Sequence, residues 1–301
     1  MASRTAFSLI DVFSSRPFRG NQLAVFHDAG RLKGAQMQTL AREMNFSEST
    51  FVIPAPRRPA PVRVRIFTPR REIPMAGHPT VGTAWVLASR GQLPKGEATL
   101  RLGVGDTKIT IEGKAGNPSF IWMSHRPAQF GERRNDPDRI ATSLGIDSAD
   151  VRGDLPIEAL STGNPFLFVP LSSVDALKRC VSGRSALQTL FEGAPRMLPV
   201  YPFVCEGSPV RSVRARMFAP HTDGIAEDPA TGSAAAPLGA YLRAHGVIGS
   251  TGRTRLRVVQ GIEMGRRSEI TVEVLDSTGD NGPSIRIGGR CTIVGEVQMR
   301  L

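Results

Sequence analysis

Three residues of this chain have the chemistry for proton transfer, and each stands in a distinctive setting. Glu48, in NFSESTFV (45–52), is flanked by Phe46, Phe51 and Val52. An arbitrary glutamate faces solvent, but an apolar setting raises a carboxyl pKa and makes the group useful as a general acid or base. His78, in IPMAGHPTVG (73–82), falls where a helix is expected to begin. That position disfavours the imidazolium and leaves a neutral ring able to orient or exchange a proton; the plainer alternative is a satisfied core histidine. Asp228, in EDPATGSA (227–234), reads either as a helix N-cap or as a third acid/base group. Glu72 and Glu227 look similar and are set aside as decoys.

The settings of His78 and Asp228 are two copies of one pattern. RVRIFTPRREIPMAGHPTVGTA (63–84) aligns with RARMFAPHTDGIAEDPATGSA (214–234), matching Arg63, Phe67, Pro69, Pro79, Gly82 and Ala84 with Arg214, Phe218, Pro220, Pro229, Gly232 and Ala234. From Phe67 to Phe218 the offset is 151 and from Pro79 to Pro229 it is 150, so one residue changes in the loop between. A repeat this long is one small domain rather than a solenoid unit, which implies an internal duplication and two similarly folded halves facing each other across a crevice. At the chemically telling positions the copies diverge, Gly77-His78 against Glu227-Asp228, as an asymmetric ligand would require. Small residues and a proline there leave backbone N–H groups bare at a helix start, where they attract an anion such as a carboxylate or a developing enolate. The pseudo-symmetry would bring His78 and Asp228 together.

Alternating apolar segments predict strands around Phe7–Phe13, 62–67, 108–112, 120–122, 166–169, 213–218, 255–259 and 269–274. Met37, Leu40, Ala41 and Met44 at i, i+3, i+4, i+7 predict an amphipathic helix, and Asp136-Pro137 to Gly145 predicts another. A third is expected from about Thr231 to His245. Gly20-Asn21 before LAVF is echoed weakly by Gly163-Asn164 before FLFV, whereas Gly116-Asn117-Pro118 reads as a plain turn. The polar, turn-rich GERRNDPDR (131–139) separates the halves, giving residues 1–128 and 129–301. Whether 292–301 returns to pack on the first half is left open.

Composition limits the function classes. At 301 residues, 40% hydrophobic and 22% charged, the chain has room for two cores. A formal charge of +11 admits nucleic acid, yet only five of the 38 basic residues are lysines, the arginines form no stripe, and aromatics are 6%. The charge favours an anionic small molecule instead. Three cysteines without CxxC spacing suggest neither a disulfide framework nor a zinc site and fit a reducing cytoplasm. The first residues read as a strand rather than a signal peptide, and no apolar run reaches the roughly 18 residues that span a bilayer.

DVFSSRPFRGNQLAVF (11–26), NFSES (45–49), IPMAGHPTVG (73–82), EDPATGSA (227–234) and QGIEMGR (260–266), in this order over nearly the whole chain, resemble the PhzF family, named for phenazine biosynthesis. The resemblance implies an α+β, diaminopimelate epimerase-like fold of two pseudo-symmetric halves, each a mixed sheet wrapped around a central helix. It also implies a homodimer, no cofactor, no metal, and isomerisation of trans-2,3-dihydro-3-hydroxyanthranilate. Glu48 would then move a proton between ring carbons with help from His78 and Asp228. Gly77, Thr231, Gly232 and Ser233 would bind substrate. Related epimerases work with two facing cysteines, but Cys180, Cys205 and Cys291 lie outside the repeated motifs. The expected function is a cofactor-independent isomerase of a small cyclic carboxylate; the alternatives are an epimerase or lyase using the same carboxylates, and a non-catalytic binding protein that kept the fold.

Overall fold

Strands dominate because β-branched and aromatic residues alternate through most of the chain, and the helices that join them are short except for two. The computed structural model describes residues 4–54, 61–181, 183–219, 226–276 and 282–301; Pro220, matched with Pro69 in the repeat, lies outside the described residues. Contacts divide the chain into two compact units, Met1–Ser124 with Gly288–Leu301, and His125–Ile287.

The first unit contains β1 (Arg4–Val12), β2 (Asn21–Phe26), α1 (Gly34–Met44), β3 (Glu48–Ile53), β4 (Val62–Phe67), β5 (Glu72–Ile73), α2 (Gly77–Ser89), β6 (Gly96–Leu102), β7 (Gly105–Lys114) and β8 (Asn117–Ser124). β1 pairs antiparallel with β2, β2 parallel with β3, β3 antiparallel with β4, β4 parallel with β6, and β6 antiparallel with β7, which pairs antiparallel with β8. The C-terminal strand, Cys291–Arg300, pairs antiparallel with the other edge of β1. One face of this sheet carries Phe7, Phe26, Phe51 and Phe67 against Met37, Leu40 and Ala41 of α1. The other face meets α2. Eleven of the thirteen α2 residues are buried, so this helix is apolar all round, as a central helix must be. Gly82 makes the close approach possible: a Cβ there would lie 2.6 Å from Val12 Cγ2 and 2.7 Å from Leu23 Cδ2.

The second unit contains β9 (Gln129–Arg134), α3 (Pro137–Leu144), β10 (Ile157–Ser161), β11 (Pro165–Pro170), α4 (Val174–Arg179), α5 (Arg184–Leu190), β12 (Val200–Glu206), β13 (Ser212–Ala215), α6 (Gly232–Ala244), β14 (Thr254–Gln260), β15 (Ser268–Leu275) and most of β16 (Ser284–Gly289). β9 pairs antiparallel with β10, and from β10 to β15 the pairings run antiparallel, parallel, antiparallel, parallel, antiparallel. The stretch expected to be a polar linker is thus partly strand, β9, because pairing with β10 satisfies its backbone despite an exposed, polar sequence. α6 is the buried helix of this unit, and α3, α4 and α5 cover a separate core with Leu167, Val169 and Val200. Pro137 opens α3 and Gly145 closes it in the left-handed conformation, as expected, but Asp136 in the N-cap position gives its carboxylate to Arg134 rather than to the helix. Among the described residues no helix is long and apolar enough to cross a membrane.

Candidate functional site

Local rules bring Glu48 to His78. α1 closes on Asn45, whose φ of 51° is left-handed and whose N–H bonds the Ala41 carbonyl, and the chain then turns into β3 at Glu48. Along a strand alternate residues share a face. Thr50 accepts a hydrogen bond from Thr83 of α2 at 2.8 Å, so Glu48, two residues earlier, also lies on the α2 side. Asn21 shares a face of β2 with Leu23, which touches Gly82 of the same helix. His78, the second residue of α2, sits among them: its Nδ1 is 3.1 Å from Asn21 Nδ2 and 3.5 Å from Glu48 Oε2.

Both partners are withdrawn from water, His78 at 4% exposure and Glu48 at 14%. Burial pulls the His78 imidazole down to about 3, with the Gln22 carbonyl only weakly opposing, so the ring is neutral at any physiological pH. The helix start was expected to cause this; desolvation by burial is the cause instead. Nε2 is buried and has no hydrogen-bond partner among the described residues. A neutral imidazole with one unspent nitrogen beside a carboxylate can hydrogen-bond a bound molecule while the carboxylate exchanges a proton with it.

Asp228 is 5% exposed and belongs to the other unit. Its Oδ2 accepts the Thr231 hydroxyl at 2.6 Å. Both repeats were expected to start a helix at the informative dipeptide, and only the first does; the second helix begins where its expected span, from about Thr231 to His245, placed it. α2 begins at Gly77, whereas α6 begins at Gly232 with Thr231, not Asp228, in the N-cap position. The Asp228 carbonyl and carboxylate are both engaged by side chains, by Gln260 and Thr231 respectively, which keeps Asp228-Pro229-Ala230 out of the helix. Gly232 and Ser233 open α6 and are buried.

The structure therefore brings Glu48, Gly77 and His78 together in one unit, and Asp228, Thr231, Gly232 and Ser233 together in the other. Glu72 and Glu227 are committed elsewhere: Glu72 to Arg65 at 2.7 and 2.6 Å, Glu227 to Arg216 at 2.7 and 2.8 Å. Sequence reasoning passed over Asn21 and Gln260 as site residues, although both stand in motifs it had marked, Gly20-Asn21 and Gln260-Gly261. It missed Tyr201 entirely, since a lone tyrosine in an apolar strand carries no signal.

The three cysteines are free thiols. Burial pushes Cys180 up to about 12 and Cys205 up to about 11, and raises Cys291 further, so none is a thiolate near neutral pH. Among the described residues no three His, Cys, Asp or Glu side chains gather as metal ligands do. A cavity of about 310 Å³ in the second unit, lined by Phe130, Leu160, Leu167 and Phe191 among others, includes none of the residues above.

The family profile described as phenazine biosynthesis-like protein matches residues 10–297. A trans-2,3-dihydro-3-hydroxyanthranilate isomerase from Pseudomonas aeruginosa is 35% identical over 283 residues, covering 94% of this chain and 95% of that one. A PhzF-family phenazine biosynthesis protein from Bacillus anthracis superposes with a TM-score of 0.89 at 28% identity, covering 99% of this chain and 100% of the other. A hydroxyproline epimerase from Agrobacterium vitis shares the fold, with a TM-score of 0.64 at 14% identity over 100% of this chain and 94% of that one. With a mixed α/β architecture, a buried carboxylate–imidazole pair and relatives of this kind along its whole length, the chain belongs to the PhzF family and is an isomerase of that type acting on a small molecule.

Proposed function

We propose that this isomerase moves a proton between carbons of a small cyclic carboxylate, trans-2,3-dihydro-3-hydroxyanthranilate or a near analogue. The observation that carries the reading is the largely buried Glu48–His78 pair, because a neutral imidazole 3.5 Å from a carboxylate can hydrogen-bond a bound molecule while the carboxylate exchanges a proton with it. Glu48 takes the proton from carbon. His78 hydrogen-bonds the substrate and shares the charge that develops. Asp228 assists the return of the proton, and backbone groups at Gly77, Gly232 and Ser233 receive the carboxylate. Thr231 serves the same end of the site through Asp228.

We propose further that the two units descend from an internal duplication, which the matching arginines and the shared order of strand pairings support, and that they correspond to an N-terminal half and a C-terminal half. The enzyme is a homodimer in this reading, on the strength of the family resemblance, and resides in the cytoplasm, which its three free cysteines suit.

The test is proton NMR in deuterated buffer with dihydro-hydroxyanthranilate and a set of small cyclic carboxylates. Wild type should incorporate deuterium with a double-bond shift. Glu48→Gln should lower kcat by about 10² to 10⁴, the usual worth of a positioned acid or base, and Asp228→Asn should lower it by less. A Glu48→Gln enzyme that turns over at the wild-type rate removes Glu48 from the mechanism.

A further inference from the structure

Gln260 ends β14 with its side chain almost wholly buried. Gly261 brings it to the Asp228 loop: a Cβ at Gly261 would lie 2.6 Å from the Pro229 carbonyl oxygen, and its φ of 75° is left-handed, so the chain can pass this close only without a side chain. All of the polar atoms of the Gln260 amide are then used. Oε1 accepts from the Tyr201 hydroxyl at 3.0 Å and from the Thr231 backbone N–H at 3.2 Å. Nε2 donates to the Asp228 carbonyl at 2.7 Å and to the Thr231 hydroxyl oxygen at 3.0 Å.

This arrangement has one direction. A backbone N–H can only donate and a backbone carbonyl can only accept, so the Gln260 amide cannot be turned round. With Nε2–H pointing at Thr231 Oγ1, that oxygen accepts, and its own hydrogen goes to Asp228 Oδ2 at 2.6 Å. Burial and the neighbouring Asp228 charge raise the Tyr201 phenol, which therefore stays a donor.

We infer that Gln260 is the positioning residue for Asp228: by fixing the direction of the Thr231 hydroxyl it keeps one hydrogen bond permanently donated to the Asp228 carboxylate. Thr231 is thereby spent on Asp228 rather than on substrate. The inference deepens the proton-transfer reading given above and rests on it for its meaning, but not for its test. Among the described residues the charged or titratable groups near Asp228 include Tyr201 on β12 and the adjacent Glu227, itself paired with Arg216 just after β13.

The test is a carboxyl ¹³C NMR titration of Asp228, its resonance assigned by its absence from Asp228→Asn, and it needs no substrate. Thr231→Val should raise the proton affinity of Asp228 by about 10- to 100-fold, the worth of one hydrogen bond to a charged group. Thr231→Ser should restore the wild-type value. Gln260→Met should raise the affinity as well, and should add nothing in the Thr231→Val background, because it acts through that hydroxyl. In wild type both Gln260 side-chain amide hydrogens should exchange slowly with solvent. Rapid exchange of these hydrogens in the wild-type protein, an unmoved Asp228 titration in Thr231→Val, or an additive double variant would each overturn the inference. Loss of the proposed isomerisation with the titration behaving as described would instead count against the substrate reading alone.

Discussion

His78 offers a quantitative test of the site's charge state. Its imidazole falls from 6.5 to about 3 on folding, because burial penalises the cation. A histidine depressed in this way binds a proton in the unfolded chain before it does so in the folded one. Its contribution is present in full above pH 6.5 and is lost as pH falls toward 3. A full pH unit costs about 1.4 kcal/mol for one proton, less near pH 6.5 where the unfolded imidazole is half protonated, so about 2 to 2.5 kcal/mol disappears between pH 6.5 and 4.5. Glutamine at this position carries no titrating proton. The stability of Glu48-containing wild type should therefore fall below that of His78→Gln by that amount over those two units, while above pH 7 the two curves run parallel. Contributions from other groups, such as His125, which burial lowers to about 4, are common to both proteins and cancel. Both tryptophans, Trp85 and Trp122, belong to the same unit as His78, so equilibrium urea unfolding followed by fluorescence at pH 7.5, 6.5, 5.5 and 4.5 reads the right transition. A difference that stays constant across the series would mean that folded His78 titrates normally. Burial would then not hold the ring neutral below pH 6.5, and a wild type that gains on His78→Gln as pH falls would mean an imidazolium paired with Glu48; either outcome refutes the neutral-ring reasoning.

The two arginine–glutamate pairs should differ sharply in worth. Arg216 and Glu227 are 8% and 17% exposed, and Arg216 also binds the carbonyls of Leu177, Lys178 and Cys180, so Arg216→Ala should cost about 3–5 kcal/mol in denaturant unfolding. Arg65→Ala, facing a Glu72 that is 44% exposed, should cost at most about 1 kcal/mol in the same assay. Gly261→Ala should lose about 1–3 kcal/mol from its left-handed backbone alone, and more from the clash with Pro229, readable as a lowered denaturant midpoint. Replacing Cys180, Cys205 and Cys291 one at a time with serine or alanine should leave turnover of any identified substrate within about twofold; loss of activity in one of them would revive a thiol mechanism.

Periodicity made much of this legible. The α1 face, the Pro137 and Gly145 bounds of α3 and the strand at 62–67 follow from apolar spacing and from proline and glycine signals, which are local properties. The repeat pointed to His78 and Asp228 because glycine and proline signatures survive where side-chain chemistry changes. What could not be read depends on long-range pairing. β9 is a strand only because β10 lies beside it, and Gln260 reaches Asp228 only because Gly261 lets β14 meet a loop more than thirty residues upstream. The hold on Asp228 is of the same kind. Nothing in EDPATGSA by itself says that its first residues will be held out of the helix by a glutamine from another strand.

The duplication proposal gains weight from what the two copies keep and what they change. Arg65 and Arg216 occupy matched repeat positions, and each chelates a glutamate from the segment before its helix and lies over the phenylalanine two residues on, at 5.1 and 4.7 Å. The pairings from β1 through β7, omitting the short β5, and from β10 through β15 run in the same series of antiparallel and parallel steps. Gly20-Asn21 and Gly163-Asn164 stand at the starts of corresponding strands, β2 and β11, so their weak sequence echo has a topological counterpart. Against this shared frame the polar residues differ: a histidine next to Asn21 and Glu48 in one unit, an aspartate held by Thr231 and Gln260 in the other. A duplicated scaffold needs the same backbone twice and so preserves its glycines, prolines and arginine anchors. In the proposed mechanism isomerisation takes a proton from one carbon and places it on another, two unlike events, and it is at the residues proposed for those events that the copies have parted.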